Sequence, residues 1–250
     1  MSPTLGRLNL MFRRRSRRLR EVNASRVHLM RANRRFARGT EAGMLVLDAG
    51  AGTGPYRKLF EHAVYEAADF AQLGTKYTKL DYVCTLADIP VSDSRFDRVL
   101  FNQVLEHVDD PPAVLAELYR VLKPGGRILC TCPLFYAEHQ KPYDYFRYTR
   151  FGLHHLFEQA GFGEVRIRWL EGYFGTVAYQ FKQMRYALPR NPRELESGWR
   201  VVYLGPLLWG TRTLAYLLMH AFSRADLRWK YTRSGMPKNY LVLAEKPERA

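Results

Sequence analysis

Cysteine is scarce in this chain of 250 residues; Cys84, Cys130 and Cys132 are the only three. Three thiols cannot build a disulfide framework. Cys130 and Cys132 lie two apart in a strand-like run and so share one face, as core or pocket-edge residues in a reducing compartment. Acidic residues are few as well, 24 against 39 Lys and Arg, for a net charge of +15. No apolar signal core opens the chain, because Arg13, Arg14, Arg15, Arg17, Arg18 and Arg20 stand in its place. That excludes a secretory signal and leaves a cytoplasmic location or, on the Arg-rich and acid-poor composition, an organellar transit peptide. Metal-ligand spacings such as C-x-x-C and H-E-x-x-H are missing, so no metal is expected. There is no internal repeat and no low-complexity tract beyond the Arg-rich start.

The charge that is present is unevenly placed. Residues 1–40 hold twelve Arg and one acid, Glu21, for +11; residues 41–170 carry −3; residues 171–238 carry +7. A basic flank serves anionic lipid, nucleic acid, an anionic substrate or simply solubility. Residues 1–40 read as a basic arm followed by a weakly amphipathic helix from Glu21 to Arg38. Residues 41–170 alternate strand-like and helix-like runs: Met44 to Leu47, Val64 to Phe70, Tyr82 to Leu86, Arg98 to Phe101, a helix from Pro111 to Leu122, the strand Arg127 to Cys132, a helix from Arg150 to Ala160, and the strand Glu164 to Leu170. Such alternation predicts a parallel sheet with helices on both faces. Residues 239–250 add one more strand, Asn239 to Glu245. The intervening residues 171–238 are too long for a structureless loop and read as a helical insertion. Within it, Val201 to Ser223 is very apolar but interrupted by Arg212, which leaves three readings open: a packed lid helix, an interfacial membrane contact, or a span.

The first motif that carries chemistry is Leu45-Val46-Leu47-Asp48-Ala49-Gly50-Ala51-Gly52-Thr53-Gly54. A buried strand delivers a carboxylate, and three glycines at alternate positions let a ligand approach the backbone. The spacing G-x-G-x-G is not the G-x-G-x-x-G of dinucleotide enzymes, and no Lys-Ser/Thr follows to hold a triphosphate. Asp69, at the end of the second strand, can bind both hydroxyls of a ribose.

Four later motifs stand in order: Ala87-Asp88-Ile89-Pro90, Arg95-Phe96-Asp97, Asn102 to Val108 (N-Q-V-L-E-H-V), and Val121 to Arg127 (V-L-K-P-G-G-R). Over residues 41–170 this text resembles the small-molecule, class I methyltransferases that use S-adenosylmethionine (SAM), in particular their type 11-like branch. The resemblance implies a Rossmann-like α/β fold with a seven-stranded, mostly parallel sheet, in which the strand at 239–245 lies antiparallel beside that at 164–170 and residues 171–238 form a helical lid. It implies SAM as cofactor. Gly50, Gly52 and Gly54 would lie along its methionine part, Asp48 would orient the loop and the ammonium group, Asp69 would hold the ribose, and Asn102 and Gln103 would border the sulfonium end. The acid that often meets adenine in these enzymes is replaced by Thr85, so adenine is assigned to Thr85 and Leu86, with Asp81 or Asp88 as substitutes. His107, at a helix start near the cofactor, reads as structural rather than as a base.

The loop after the fifth strand, Cys132 to Arg150, concentrates one His, four Tyr, two acids and two Arg at the carboxyl edge of the sheet, where ligands of such folds bind. Its H-x-x-P-Y-D-Y-F-R-Y-T string resembles a branch frequent among bacterial enzymes of surface-glycan and secondary-metabolite pathways. Methyl transfer to an unactivated alcohol needs a base near neutrality. His139 is the candidate base, Asp144 its orienting partner, and Tyr143 and Tyr148 the pocket walls. Packing of these aromatic residues on the sheet is the competing reading. Asp109-Asp110-Pro111-Pro112 is better read as the start of a helix than as an amino-methylating motif. Thr131-Cys132-Pro133 lacks the companion Pro-Cys of cytosine methylation. The expected acceptor is therefore a hydroxyl of a sugar, glycolipid or related metabolite, with peripheral contact to an anionic membrane. RNA methylation and a non-catalytic scaffold at a membrane are the alternatives.

Overall fold

The computed structural model describes residues 23–72, 76–195, 198–199 and 201–248; the Arg-rich arm over 1–20 lies outside them. The described residues divide into two compact units, one built from residues 172–236 together with 23–26, the other from Val27–Glu171 and residues 237–248.

The larger unit holds the helix α1 (Ala24–Arg38, which begins in the other unit), the strands β1 (Leu45–Ala49), β2 (Val64–Asp69), β3 (Tyr82–Val83) and β4 (Phe96–Asn102), the helix α2 (Pro111–Val121), the strand β5 (Leu122–Pro133), the helix α3 (Arg150–Gln159), and the strands β6 (Gly163–Trp169) and β7 (Asn239–Glu245). The seven strands form one sheet in the order β3-β2-β1-β4-β5-β7-β6. β1 to β5 pair in parallel, whereas β7 runs antiparallel to both β5 and β6.

Alternation along the strands explains why both faces are covered. Val46, Leu100 and Leu129 point to one face, where they pack with Ala37 of α1 and with Phe60. Their neighbours Leu47, Val99, Phe101, Ile128 and Cys130 point to the other, against Leu115 and Leu118 of α2 and Leu153 and Phe157 of α3. Strands apolar on both faces are what a doubly covered parallel sheet requires, and each fully buried Leu or Phe contributes about 1.5–3 kcal/mol. Cys130 and Cys132 both lie in the second of these clusters as free, buried thiols.

The ends of the helices follow local chemistry. Asp110 caps α2 by accepting from the Ala113 N–H at 3.1 Å, with Pro111 in the first turn, as expected of Asp109-Asp110-Pro111-Pro112. Thr149 caps α3 through the Gly152 N–H at 3.1 Å. Two strands differ from expectation. β3 is two residues rather than the five read over 82–86, because only Ala68 and Asp69 of β2 reach far enough to pair with it. β5 begins at Leu122 rather than Arg127, with the Pro124-Gly125-Gly126 turn inside it as a break in register, and Gly125 has φ +73°.

The smaller unit is helical. α4 (Tyr173–Ala187) and α5 (Val201–Trp229) pack through Phe174 and Phe181, both against Phe222, and the Arg185 guanidinium lies 4.0 Å from the centre of the Tyr216 ring. Among the described residues no helix is long and apolar enough to cross a membrane, which removes the spanning reading of 201–223. α5 nevertheless exposes Val202, Tyr203, Leu207, Trp209, Leu214 and Leu217, each more than half accessible.

Candidate active site

β1 ends in Asp48-Ala49 and turns at once through Gly50, Gly52 and Gly54, whose φ values of +74°, +49° and +64° lie in the left-handed region that favours glycine. The three are not equivalent. A Cβ on Gly50 would sit 2.4 Å from Val104 Cγ2, and one on Gly54 would sit 2.9 Å from Thr78 Oγ1, but one on Gly52 would meet nothing within 4 Å. Gly50 and Gly54 are therefore close-packing positions, whereas Gly52 borders open space. Its N–H donates to Asp69 Oδ2 at 2.9 Å and its carbonyl accepts from the Thr78 N–H at 2.7 Å, so the loop is fixed from both sides.

Asp48 is buried and accepts a hydrogen bond from the Tyr65 hydroxyl. Burial pushes its carboxyl up to about 6; the Tyr65 bond opposes this and the nearby Asp69 adds to it. Asp69 is also buried, and its second oxygen accepts from the Ala71 N–H at 3.2 Å. Gln103, where β4 leaves the sheet, has φ +56° and a buried side-chain nitrogen without a hydrogen-bond partner. Two buried acids, an open glycine backbone and an orphan amide donor suit SAM, which brings an ammonium group for Asp48, ribose hydroxyls for Asp69, a carboxylate for the amide, and a chain that can pass close to Gly52.

Other residues assigned to the cofactor stand differently. The Asn102 amide is engaged in a reciprocal pair with Asn33 of α1, at 3.0 and 3.2 Å, and accepts from Thr131 Oγ1 at 3.1 Å. It ties α1 to the sheet. Leu86 is buried in the core, while Thr85 and Asp88 are exposed, and Asp81 Oδ2 accepts from the Ala67 N–H at 2.9 Å. The aromatic surface beside Asp69 comes from Phe70, whose ring meets Tyr143 edge-on at 5.6 Å. An aromatic residue directly after Asp69 is a readable signal for that surface.

The post-β5 loop is bound to the short 3-10 turn Leu105–His107 that follows β4. The N–H groups of Tyr145 and Phe146 donate to the Glu106 carbonyl at 2.9 and 3.2 Å. Tyr148, expected as a pocket wall, is instead a buried core residue whose hydroxyl donates to the Leu105 carbonyl at 2.9 Å. Its ring is drawn inward because the loop must cover Leu105 and Cys132.

Three side chains of this loop and His107 of the 3-10 turn form a line. Arg147 forks Asp144 at 2.7 and 2.8 Å and holds its carboxyl well below the usual carboxylate range. Asp144 Oδ2 accepts from the His139 backbone N–H at 2.8 Å and lies 3.4 Å from His139 Nδ1. His139 Nε2 faces His107 Nε2 at 3.2 Å, and His107 Nδ1 lies 2.5 Å from the Tyr143 carbonyl. Burial lowers the pKa of His107, which favours the neutral ring. Beside the two rings stands Glu106, fully buried, neither of whose oxygens makes a hydrogen bond, and burial pushes its carboxyl up to about 8. The structure thus brings His139, Asp144 and Tyr143 together, and it adds Glu106, His107 and Arg147, which the sequence reading left out or read as structural.

Comparison with known proteins agrees with this architecture. A family profile described as a methyltransferase domain matches residues 15–166. The ubiquinone/menaquinone biosynthesis C-methyltransferase of Desulfotalea psychrophila is 30% identical over 182 residues, covering 67% of this chain and 73% of that one. The demethylmenaquinone methyltransferase of Staphylococcus haemolyticus is 30% identical over 126 residues, covering 38% of this chain and 53% of that one. Among solved structures, a SAM-dependent methyltransferase from Archaeoglobus fulgidus superposes with a TM-score of 0.52 at 16% identity, covering 87% of this chain and 93% of that one.

Proposed function

The chain belongs to the class I, SAM-dependent methyltransferases, and from that premise we propose that it methylates a hydroxyl oxygen of a small acceptor: a sugar, a glycolipid or a related metabolite. The observation that carries the reading is the line in which Arg147, Asp144 and His139 of the post-β5 loop, whose Tyr143 also touches Phe70 next to Asp69, meet His107 of the 3-10 turn after β4. SAM supplies an electrophilic methyl group on a sulfonium centre. The residues of this chain position and prepare the acceptor. An alcohol oxygen is a poor nucleophile until its proton leaves, and imidazole is suited to take it near neutrality. Arg147 keeps Asp144 ionised, and Asp144 orients His139. The acceptor proton is withdrawn at the His107 and His139 pair, the oxygen bonds to the methyl carbon, and the pair of the broken C–S bond stays on sulfur. Tyr143 walls the site.

The relatives' names favour a second reading, in which the same histidines deprotonate a ring hydroxyl and a carbon takes the methyl group. A lipid-tailed acceptor suits both, and the basic arm and the apolar side chains exposed on α5 support contact with an anionic membrane. The test is to incubate the full chain with methyl-labelled SAM and a cell extract, then separate lipids, polar metabolites and RNA. A methyl ether in the lipid or polar fraction, lost in His139→Ala by about 10²–10⁴-fold with SAM affinity unchanged, is the expected result. Label on carbon establishes the second reading, and label in RNA overturns both.

A further inference from the structure

Glu106, His107 and His139 come from two segments 32 residues apart, yet each offers a ligand atom and these atoms lie within 4.8 Å of one another. We propose that the three hold a divalent metal ion of the zinc type, with the acceptor's hydroxyl as the fourth ligand. The inference rests on the methyl-transfer reading for its chemistry, but its geometry stands independently.

The argument starts from where the protons must be. The Tyr143 carbonyl can only accept, so the His107 Nδ1 that meets it carries the hydrogen, and His107 Nε2 presents a lone pair. Asp144, ionised by its Arg147 fork, is the acceptor nearest His139 Nδ1 and favours the hydrogen there, which leaves a second lone pair on His139 Nε2. The two lone pairs face each other at 3.2 Å. Two nitrogens bound to a tetrahedral zinc at its usual bond length sit ~3.3 Å apart. Glu106 Oε1 stands 3.9 Å from His107 Nε2, so a small rotation completes the set. The outer nitrogen of His107 thus sits on a backbone carbonyl, the arrangement that orients metal-bound histidines, and that of His139 lies 3.4 Å from the Asp144 carboxylate without a hydrogen bond. A hydrogen bond between the two rings would satisfy their facing Nε2 atoms, but it would leave both buried oxygens of Glu106 without a partner. A cation satisfies all three groups at once.

Two histidines and one carboxylate are a ligand set of catalytic zinc sites, which leave one position for water or substrate. In that position the acceptor hydroxyl loses its proton to water more readily, because the ion stabilises the resulting oxyanion. His139 is then a ligand, and Asp144 and Tyr143 are positioning residues.

The test uses the full, untagged chain, stripped with chelator and titrated with Co²⁺, followed by visible absorption and metal content. One Co²⁺ per chain is expected, with affinity at least about tenfold weaker in His107→Ala, His139→Ala and Glu106→Gln and unchanged in His154→Ala, an exposed histidine paired with Glu158. Calorimetry with SAM reports whether each variant is folded. Absence of saturable Co²⁺ uptake, or uptake equal in all variants that still bind SAM, overturns the metal site. Turnover that survives chelation in a Co²⁺-free protein does the same while leaving the methyl-transfer reading intact. Co²⁺ bound as expected in a protein that transfers no methyl group overturns that reading instead.

Discussion

Replacing Gly52 by alanine should weaken SAM binding at little cost in stability, whereas the same change at Gly50 should cost more stability. Both positions have positive φ, so each alanine carries roughly 1–2 kcal/mol of backbone strain. At Gly52 little is added, because no atom lies within 4 Å of the new Cβ. At Gly50 the Cβ would stand 2.4 Å from Val104 Cγ2, and overpacking of that kind adds about 1–3 kcal/mol. In a chain of this size each kcal/mol lowers Tm by about 2–4 °C. Gly52→Ala should therefore melt only a few degrees below wild type, yet bind SAM at least about tenfold more weakly, a loss of ~1.4 kcal/mol, because its methyl group occupies the cofactor's path. Gly50→Ala should melt clearly lower, and Val104→Ala should recover part of the difference. Thermal unfolding and SAM calorimetry on the four proteins decide the matter. Normal SAM affinity in Gly52→Ala, or equal destabilisation by the two glycine changes, would refute the reasoning.

Three more outcomes can be measured. Burial raises Asp48 from 3.8 to about 6, so its contribution to stability is complete below pH 3.8 and is lost as the pH rises through about 6, by roughly 3 kcal/mol; urea unfolding across that range should show this dependence vanish in Asp48→Asn. Glu117 accepts the Ile89 N–H at 2.7 Å and forks Arg120, which reaches the carbonyls of Ile89 and Val91; Glu117→Ala should cost about 2–3 kcal/mol in urea unfolding and leave SAM affinity unchanged. Tyr148→Phe orphans the Leu105 carbonyl and should cost about 1–2 kcal/mol while sparing turnover, whereas a pocket wall would show its loss in acceptor KM.

The sheet was legible because strand-forming runs apolar on both faces leave no other arrangement, and because the glycines and Pro124 fix the turns at recognisable places. The apolar run places a strand over Asn239–Glu245, and its antiparallel pairing with β6 is what the resemblance implies. The glycine loop after β1 is legible for the same reason: its turn lies within ten consecutive positions. The histidine cluster was not, because its ligands come from two loops, and only the fold brings Glu106 and His107 to His139. Tyr148 misled for a related reason. An aromatic residue in a loop at the ligand edge can turn either way, and the free carbonyl of Leu105 turned this one inward. The assignment of adenine to Thr85 and Leu86 rested on a motif position alone, and the short β3 lets Leu86 drop into the core.

The place of β7 bears on how the molecule is made. This strand fills the slot between β5 and β6 and pairs along seven residues with β5, yet it leaves the ribosome last of the three. Between the end of β6 and its arrival come roughly 70 residues, which at ~5–20 residues per second is a wait of several seconds. Until β7 is made, the edge of β5 that it pairs with and the strand β6 both lack their partner, and each is open to pairing with other strands.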